Sequence, residues 1–261
     1  MGLGTQVRRA AAALSVTAIL ATGLGTVGAS GAAGPVITPL KAEQVLGYLG
    51  YLPLHFSPTT GTLLSRVQAQ RGTFAWRWGE PVALRSTWGI GDLNPIVVGG
   101  LMSFERVNGI TSTTTLTSGV SADLLAAAKA DKKDPDTWNN VYVSETLPER
   151  VYVYVSGKEV YSTLANTGVS SAPTGLGTFQ VYLRYLVTTM SGTYPDGGSY
   201  YDPGIPNVSY FHGGDALHGF IRSSYGWPQS LGCVEMPFAS AKRVWPYTPI
   251  GTLVTVAVAR P

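Results

Sequence analysis

The hydrophobic positions along the chain change their period near residue 138. Before that point, apolar residues recur every three or four positions, as in amphipathic helices, within three segments: 40–54, 97–110 and 121–134. Asn108-Gly109 provides a C-terminal stop for the second segment, and Ser121 or Asp123 is the predicted N-cap of the third. The first half is therefore predicted to be a small helical module, residues 40–134.

Alternating apolar and polar residues, the period of half-buried strands, take over in the second half. They occupy 140–146, 150–168 and 177–190, and a closing strand is predicted within 250–259. The tripeptide 156–158 is a tight turn. Residues 191–207 contain Gly, Pro and Tyr without a period, which predicts a long loop of the kind that serves as a lid. The predicted fold class is mostly β, a sandwich or open barrel over 138–257 after the helical module.

The amino-acid composition narrows the classes of function that this protein can have. Apolar residues make up 44% of the chain and charged residues 13%, which indicates a folded globular protein. The formal net charge is +3, and two of the positive charges, Arg8 and Arg9, lie in a segment that we expect to be removed. Proteins that bind nucleic acids need a basic stripe, so we expect no nucleic-acid partner.

Residues 1–29 have the pattern of an export signal. A basic start precedes a short apolar run, and Val27-Gly28-Ala29 offers small residues for cleavage. A retained membrane anchor is the alternative, but Gly23 and Gly25 interrupt the run and no stop-transfer charges follow. We therefore expect an exported protein in which residues 30–39 form a linker to the helical module.

Cys233 is the only cysteine of the chain. In an exported protein, a lone thiol pairs with another chain, is buried and inert, or is reactive. His218 lies 15 residues upstream and can take the proton of a thiol. Gly232 permits a tight turn in which backbone N–H groups converge as oxyanion donors. These neighbours favour a catalytic thiol, and too few ligands accompany them for a metal, so we expect neither metal nor cofactor.

The phrase HGF…YGWPQSLGCVEMP, followed by IGTLVTV, resembles the signature of the YkuD-type L,D-transpeptidases. The matching positions are His218-Gly219, Gly226, Ser230, Gly232-Cys233 and Gly251-Thr252. The resemblance covers 138–257 and implies a β-sandwich-like domain that cross-links peptidoglycan. In that family a cysteine attacks a tetrapeptide stem, releases D-alanine as a thioester forms, and passes the acyl group to an amine on another stem.

Carried over to this chain, the resemblance makes Cys233 the nucleophile and His218 the general base, then acid. Ser230, Leu231 and Gly232 are the expected orienting and oxyanion residues. Leu231 stands where the family usually has a second histidine, whose backbone carbonyl is thought to orient the catalytic one. A carbonyl survives this substitution, so we expect Leu231 to accept a hydrogen bond from the His218 ring.

Glu235 departs further from the family, in which many members have Arg or Asn two residues after the cysteine. An anion beside the thiol disfavours the thiolate and repels a substrate carboxylate. A nearby arginine would compensate, and the candidates are Arg184, Arg222 and Arg243. The remaining cleft candidates are Tyr201, Tyr210, His212 and Gly219.

The helical module resembles a small peptidoglycan-binding domain through LGYL on its first helix and MSFERVNGI on its second, although a packing module without a ligand fits equally well. We expect a secreted, monomeric cell-wall enzyme that acts on peptidoglycan stem peptides, with glycan strands as a further partner of the module. An L,D-carboxypeptidase or hydrolase using the same site, or a wall-binding protein with a decayed site, is the alternative. A papain-type peptidase does not fit, because its cysteine precedes its histidine.

Overall fold

The structure is a computed structural model that describes residues 34–261. The predicted export signal, residues 1–29, lies outside the described residues. Within the described range, no helix is both long enough and apolar enough to span a bilayer.

Capping residues that precede a proline or a small residue set the starts of the longer helices. The helices of the first part are α1 (Pro39–Leu49), α2 (Val82–Arg85), α3 (Pro95–Val107) and α4 (Ser118–Lys129). Thr38 and Asn94 accept hydrogen bonds from first-turn N–H groups of α1 and α3. Thr117 caps α4 in the same way, so the prediction of Ser121 or Asp123 as its cap was wrong. The helix starts one turn earlier than the apolar pattern suggests.

The aromatic segment between α1 and α3 contributes to a hairpin that packs on the helices. Strands β1 (Leu54–Pro58) and β2 (Gly72–Trp76) pair antiparallel. Phe56 on β1 and Phe74 on β2 lie with ring centroids 4.9 Å apart, and Phe74 also meets Trp88 edge to face at 5.3 Å. These rings extend the apolar core of the helices.

Two β-sheets build the second part. Their strands are β3 (Asn139–Ser144), β4 (Arg150–Val155), β5 (Lys158–Leu164), β6 (Gly177–Gln180), β7 (Leu183–Thr193), β8 (Ser199–His212), β9 (Asp215–Gly219), β10 (Val234–Met236) and β11 (Leu253–Ala257). The order is β5-β4-β3-β11-β6 in one sheet and β10-β9-β8-β7 in the other. Val153 and Val254 of the first sheet share a core with Phe211 and Val234 of the second. The sandwich-like, mostly β prediction is confirmed, and helix α5 (Phe238–Val244) packs against β9.

The segment 191–207, which the sequence predicts to be a loop, is mostly strand. Strands β7 and β8 pair along almost their whole length, with a register shift between Thr188 and Met190 and an unpaired turn between Thr193 and Ser199. The pairing of β8 with β9 is confined to residues 209–212, so the rest of the hairpin projects as a two-stranded ribbon. Because neither face of this ribbon packs fully on the core, its sequence shows no alternation of apolar and polar residues.

The helical part and the sandwich meet through glycines. A Cβ at Gly99 of α3 would lie 2.8 Å from the carbonyl oxygen of Gly251 and 2.6 Å from Leu253 Cδ2. Leu253 of β11 is buried in the helical core, not in the sandwich core. Residues 34–261 thus form one compact unit. The domain boundaries given above, 40–134 and 138–257, stay a prediction.

Candidate active site

A cleft of about 620 Å³ opens on the four-stranded sheet. Its walls come from the β7–β8 hairpin, from β9 and β10, and from the turn before β10. The residues that line it are Thr189, Met190, Ser191, Tyr194, Tyr200, Asp202, Ile205, Tyr210, Gly214, Asp215, His218, Phe220, Arg222, Gln229, Leu231, Cys233 and Glu235. The cleft therefore collects Cys233 and His218, the two residues that the sequence predicts to be catalytic.

The pairing of β9 with β10 explains why Cys233 and His218 face the same cleft. The two strands run parallel, with Glu235 opposite His218 and Val234 opposite Leu217. Paired residues point to the same side of a sheet, and residues two apart on one strand do the same. Cys233 and Glu235 on one chain segment and His218 on the other thus share the cleft face. Val234 and Leu217 point the opposite way, into the core.

A tight turn presents Cys233. Ser230 Oγ donates to the carbonyl oxygen of Cys233 and accepts from the N–H of Gly232 at 3.2 Å, which closes the turn on itself. Gly232 has φ +112°, a conformation that side-chain-bearing residues rarely adopt, and a Cβ there would collide with Asp215 Oδ1. The expected orienting role of Ser230 and Gly232 therefore has a geometric basis in the backbone of the turn.

The Cys233 thiol is protonated at neutral pH. Burial raises its pKa to about 12, and the nearby carboxylates of Asp215 and Glu235 act in the same direction, while the N–H of Ala216 opposes them. The sulfur lies 3.7 Å from the carbonyl oxygen of Gly214, to which the thiol can donate. Cys233 is thus a neutral thiol at rest, and a base would have to take its proton to form a thiolate.

His218 is held as a neutral imidazole. It is only 2% exposed, and burial lowers its pKa despite the hydrogen bond with Gly219 and the nearby negative charge of Glu235. Its Nδ1 lies 3.0 Å from the carbonyl oxygen of Gly219, so Nδ1 carries the proton and Nε2 is left as the basic nitrogen. The expectation that Leu231 provides this carbonyl was wrong. Gly219, the next residue along β9, provides the carbonyl instead.

Arg222 neutralises Glu235. Its Nε and Nη2 lie 2.7 and 2.8 Å from the two carboxylate oxygens, a bidentate pair, and Nη2 also donates to the carbonyl oxygen of Gln229 at 3.3 Å. The Glu235 side chain is almost fully buried, whereas Arg222 remains partly exposed. Of the three arginines considered as compensating partners, only Arg222 forms a salt bridge with this carboxylate within the described residues.

Several of the predicted cleft residues lie elsewhere. Tyr210, Leu231 and Glu235 line the cleft, but Tyr201, His212 and Gly219 do not. Tyr201 is 72% exposed, because on β8 it points away from its cleft-facing neighbours. A Cβ at Gly219 would approach Phe238 and Ala241, which places it against α5 on the opposite face.

His212 belongs to a structural cluster beside the cleft. Its ring lies 4.2 Å from that of Phe179, and its Nδ1 lies 3.0 Å from Asp215 Oδ2. The same carboxylate oxygen accepts from the N–H of Gly175 at 3.0 Å. A Cβ at Gly175 would collide with the His212 ring. His212 therefore packs against this loop instead of lining the cleft.

The sequence analysis missed two acidic residues of the cleft, Asp202 and Asp215. Tyr200 and Asp202 are two residues apart and so share one face of β8, a spacing that would have grouped them had the segment been recognised as a strand. Asp215 follows the turn that joins β8 to β9. Among residues 34–261 there is no group of three or more His, Cys, Asp or Glu side chains arranged to hold a metal ion.

Both the sequence and the structure of this chain are similar to those of known proteins. Residues 140–256 match the sequence profile of the family described as YkuD, L,D-transpeptidase catalytic domain. A solved L,D-transpeptidase from Mycobacterium smegmatis is 20% identical, with a TM-score of 0.40, over 46% of this chain and 59% of that one. The catalytic domain of an E. faecium L,D-transpeptidase is 25% identical, with a TM-score of 0.42, over 48% of this chain and 98% of that one.

A third solved structure, an Ldtfm–avibactam carbamoyl enzyme, is 18% identical, with a TM-score of 0.43, over 72% of this chain and 91% of that one. The chain spans less than two thirds of the length of the Mycobacterium smegmatis protein. The comparison with curated proteins found no match.

Proposed function

Since residues 140–256 belong to the YkuD family of L,D-transpeptidase catalytic domains, we propose that the chain is an exported enzyme that cross-links peptidoglycan by acyl transfer through Cys233. One observation carries the proposal: Cys233 and His218 share the cleft face of a parallel strand pair, with His218 Nδ1 bonded to a carbonyl. The substrates are peptidoglycan stem peptides, and the helical module is the proposed contact for glycan strands.

Acylation begins from a neutral pair. His218 Nε2 takes the thiol proton as Sγ attacks the carbonyl carbon of the third residue of a tetrapeptide stem. The imidazolium then returns this proton to the nitrogen of the departing D-alanine, the C–N bond breaks, and a thioester remains. Because the pKa of Cys233 is raised and that of His218 is lowered, proton transfer accompanies the attack and no ion pair precedes it.

The oxyanion of each tetrahedral intermediate needs a backbone donor beside the sulfur. The N–H of Gly232 already donates to Ser230 Oγ. The N–H of Cys233 makes no hydrogen bond among residues 34–261 and is the donor that we assign to the oxyanion. Thr174 Oγ1 donates to the carbonyl oxygen of Gly232 at 2.8 Å, which fixes the peptide plane that also carries the N–H of Cys233 and hence the direction of this group.

Deacylation reverses the proton path. An amine of a second stem attacks the thioester carbon, His218 Nε2 accepts a proton from its nitrogen, and the imidazolium protonates Sγ as the C–S bond breaks. Water in place of the amine gives hydrolysis at the same site. Acylation is the same for either acceptor, so the acceptor decides between cross-linking and carboxypeptidase action.

Release of D-alanine from a tetrapeptide-stem muropeptide tests the proposal. We expect release by the wild-type protein and none above background by Cys233→Ala or His218→Ala, because neither retains a nucleophile–base pair. His212→Ala is the matched control and should retain release. Intact mass should show an acyl adduct on the wild type and none on Cys233→Ala. Release that persists in both site variants would sink the assignment.

A further inference from the structure

The cleft contains more negative than positive charge. Its charged side chains are Asp202, Asp215, Arg222 and Glu235. Arg222 and Glu235 neutralise each other through their bidentate pair. Asp215 Oδ2 is held by the N–H of Gly175 and lies against His212 Nδ1. Asp202 is thus the one cleft carboxylate to which residues 34–261 provide no partner.

Asp202 is unpaired although it is half-buried. It forms no side-chain hydrogen bond and no salt bridge within residues 34–261, whereas Glu235 and Asp215 in the same cleft do. Tyr200 lies two residues before it on the same face of β8, and the Tyr200 and Tyr194 rings stand 5.4 Å apart. A carboxylate beside aromatic rings, in a cleft that removes much of its water, is suited to an organic cation.

The position of Asp202 relative to His218 identifies that cation. Asp202 pairs with Met190 across β7 and β8, and Met190 packs in the same apolar cluster as Phe220 and Cys233. Asp202 and His218 line the same cleft beside that cluster. During deacylation the attacking nitrogen must reach His218 Nε2, because that atom accepts its proton. The acceptor amine therefore arrives beside Asp202.

We infer that Asp202 binds the acceptor amine in its ammonium form and holds it beside His218 before transfer. The inference rests on the proposed function. An alkyl amine is an ammonium ion at neutral pH, so it first loses one proton to solvent. The free amine then attacks the thioester, an amide C–N bond forms, and its second proton passes through His218 to the sulfur as the C–S bond breaks. The products are an amide, the thiol and one proton in solution.

The partition of the acyl-enzyme between amine and water tests this assignment. The full chain is acylated with a tetrapeptide stem in the presence of a stem bearing a free lysine-type amine, and the transfer and hydrolysis products are quantified by mass spectrometry. In Asp202→Asn we expect the transfer-to-hydrolysis ratio to fall about two- to fivefold, the contribution of a partly exposed ion pair. The rate of D-alanine release should stay within about twofold, because Asp202 does not act on the donor.

Three controls separate this role from a structural one. Asp123→Asn removes the same charge from an exposed position on α4 and should leave the ratio unchanged. Asp202→Glu should restore most of the lost transfer. With hydroxylamine, which is uncharged at neutral pH, wild type and Asp202→Asn should give the same ratio.

An unchanged ratio with the lysine-type acceptor would overturn the assignment, and so would an equal fall with hydroxylamine, which would indicate a distorted cleft. Wild-type protein that releases no D-alanine would refute the proposed function itself, and the acceptor subsite with it. Release by the wild type without any effect of Asp202→Asn would refute only the subsite.

Discussion

Buried polar groups differ in their hydrogen-bond partners between the helical part and the cleft. In the helical part they tie down loops: the Glu43 carboxylate accepts from the N–H groups of Gly91 and Asp92, and Lys41 Nζ donates to the carbonyl oxygen of Leu64 at 2.7 Å. In the cleft, His218 Nε2 and the Asp202 carboxylate have no hydrogen-bond partner within residues 34–261. A buried polar group with protein partners indicates structure, whereas one left unpaired beside a cleft indicates binding or chemistry.

Glu80 is an exception within the helical part. Both of its carboxylate oxygens are buried without a hydrogen-bond partner among the described residues. Burial raises its pKa to about 7. Glu80 is absent from the lining of the Cys233 cleft and from those of two further clefts of residues 34–261, and protonation removes the cost of its buried charge.

The largest effect is expected where an unpaired group performs chemistry. His218→Gln should lower kcat/KM for D-alanine release by about 10²- to 10⁴-fold, the usual contribution of a general base. His212→Gln alters a histidine whose Nδ1 is occupied by Asp215 and should change kcat/KM by less than about threefold. Steady-state kinetics of the two variants, side by side, checks the contrast. Equal losses of kcat/KM in the two variants would contradict the distinction between His218, which lines the cleft, and His212, which packs in the cluster beside it.

A smaller effect is expected from the Arg222–Glu235 ion pair, which lines the cleft but whose charged groups are paired with each other. Arg222→Met leaves the buried Glu235 carboxylate unpaired and should lower the free energy of unfolding by about 3 kcal/mol. Arg222→Met combined with Glu235→Met removes both charges and should recover most of that loss. Chemical denaturation of the two proteins measures the difference. A double variant as unstable as the single one would show that packing, and not charge, explains the effect.

In the helical part, the expected loss is in stability alone. Glu105 accepts from the N–H of Thr113 at 2.6 Å and from its hydroxyl at 2.8 Å, which fastens the chain after α3. Glu105→Ala should therefore cost about 2 kcal/mol of unfolding free energy. The kcat/KM of the folded protein should not change. Thermal melting measures the loss of stability, and kinetics on the same preparation measure kcat/KM. A selective loss of kcat/KM would contradict a purely structural role.

The smallest effect concerns pH and Glu80. Its pKa is about 7 in the folded protein and ordinary in the unfolded chain, so the unfolded chain loses this proton first as pH rises. This group therefore lowers stability as pH climbs from about 4.5 to 7, and the penalty stays above that range. Glu80→Gln should raise the free energy of unfolding by on the order of 1 kcal/mol at pH 8, and less at pH 5. Denaturation curves at pH 8 and pH 5 check the sign of this pH dependence. An equal gain in the free energy of unfolding at both pH values would contradict it.

The selection of Cys233 and His218, which line one cleft, and the mostly β fold could be predicted from the sequence because the signals for both are local. The turn Ser230–Cys233 and the dipeptide His218-Gly219 are short phrases, and strand alternation is read within a few residues. Which arginine pairs with Glu235 is not local: three were candidates, and only the register of β9 and β10 with the segment that follows β9 selects Arg222.

Two errors have the same origin. Tyr201 was assigned to the cleft and Asp202 was missed, because a hairpin that projects from the core has no apolar face to reveal which residues point inward. A shift by one residue exchanges the two faces of a strand. Leu231 was assigned the carbonyl that Gly219 provides, since the direction of an imidazole depends on its rotamer and not on the order of residues.

The glycine contact between α3 and the loop before β11 affects how the chain can be shortened. A fragment that begins near residue 138 would lose the helices that cover Leu253, and would expose a large apolar side chain on an internal strand of its own five-stranded sheet. Replacing Leu253 by a polar residue would make this surface of the fragment more compatible with water. The family match ends at residue 256, yet the covering of its last strand comes from a helix that precedes the match by more than thirty residues.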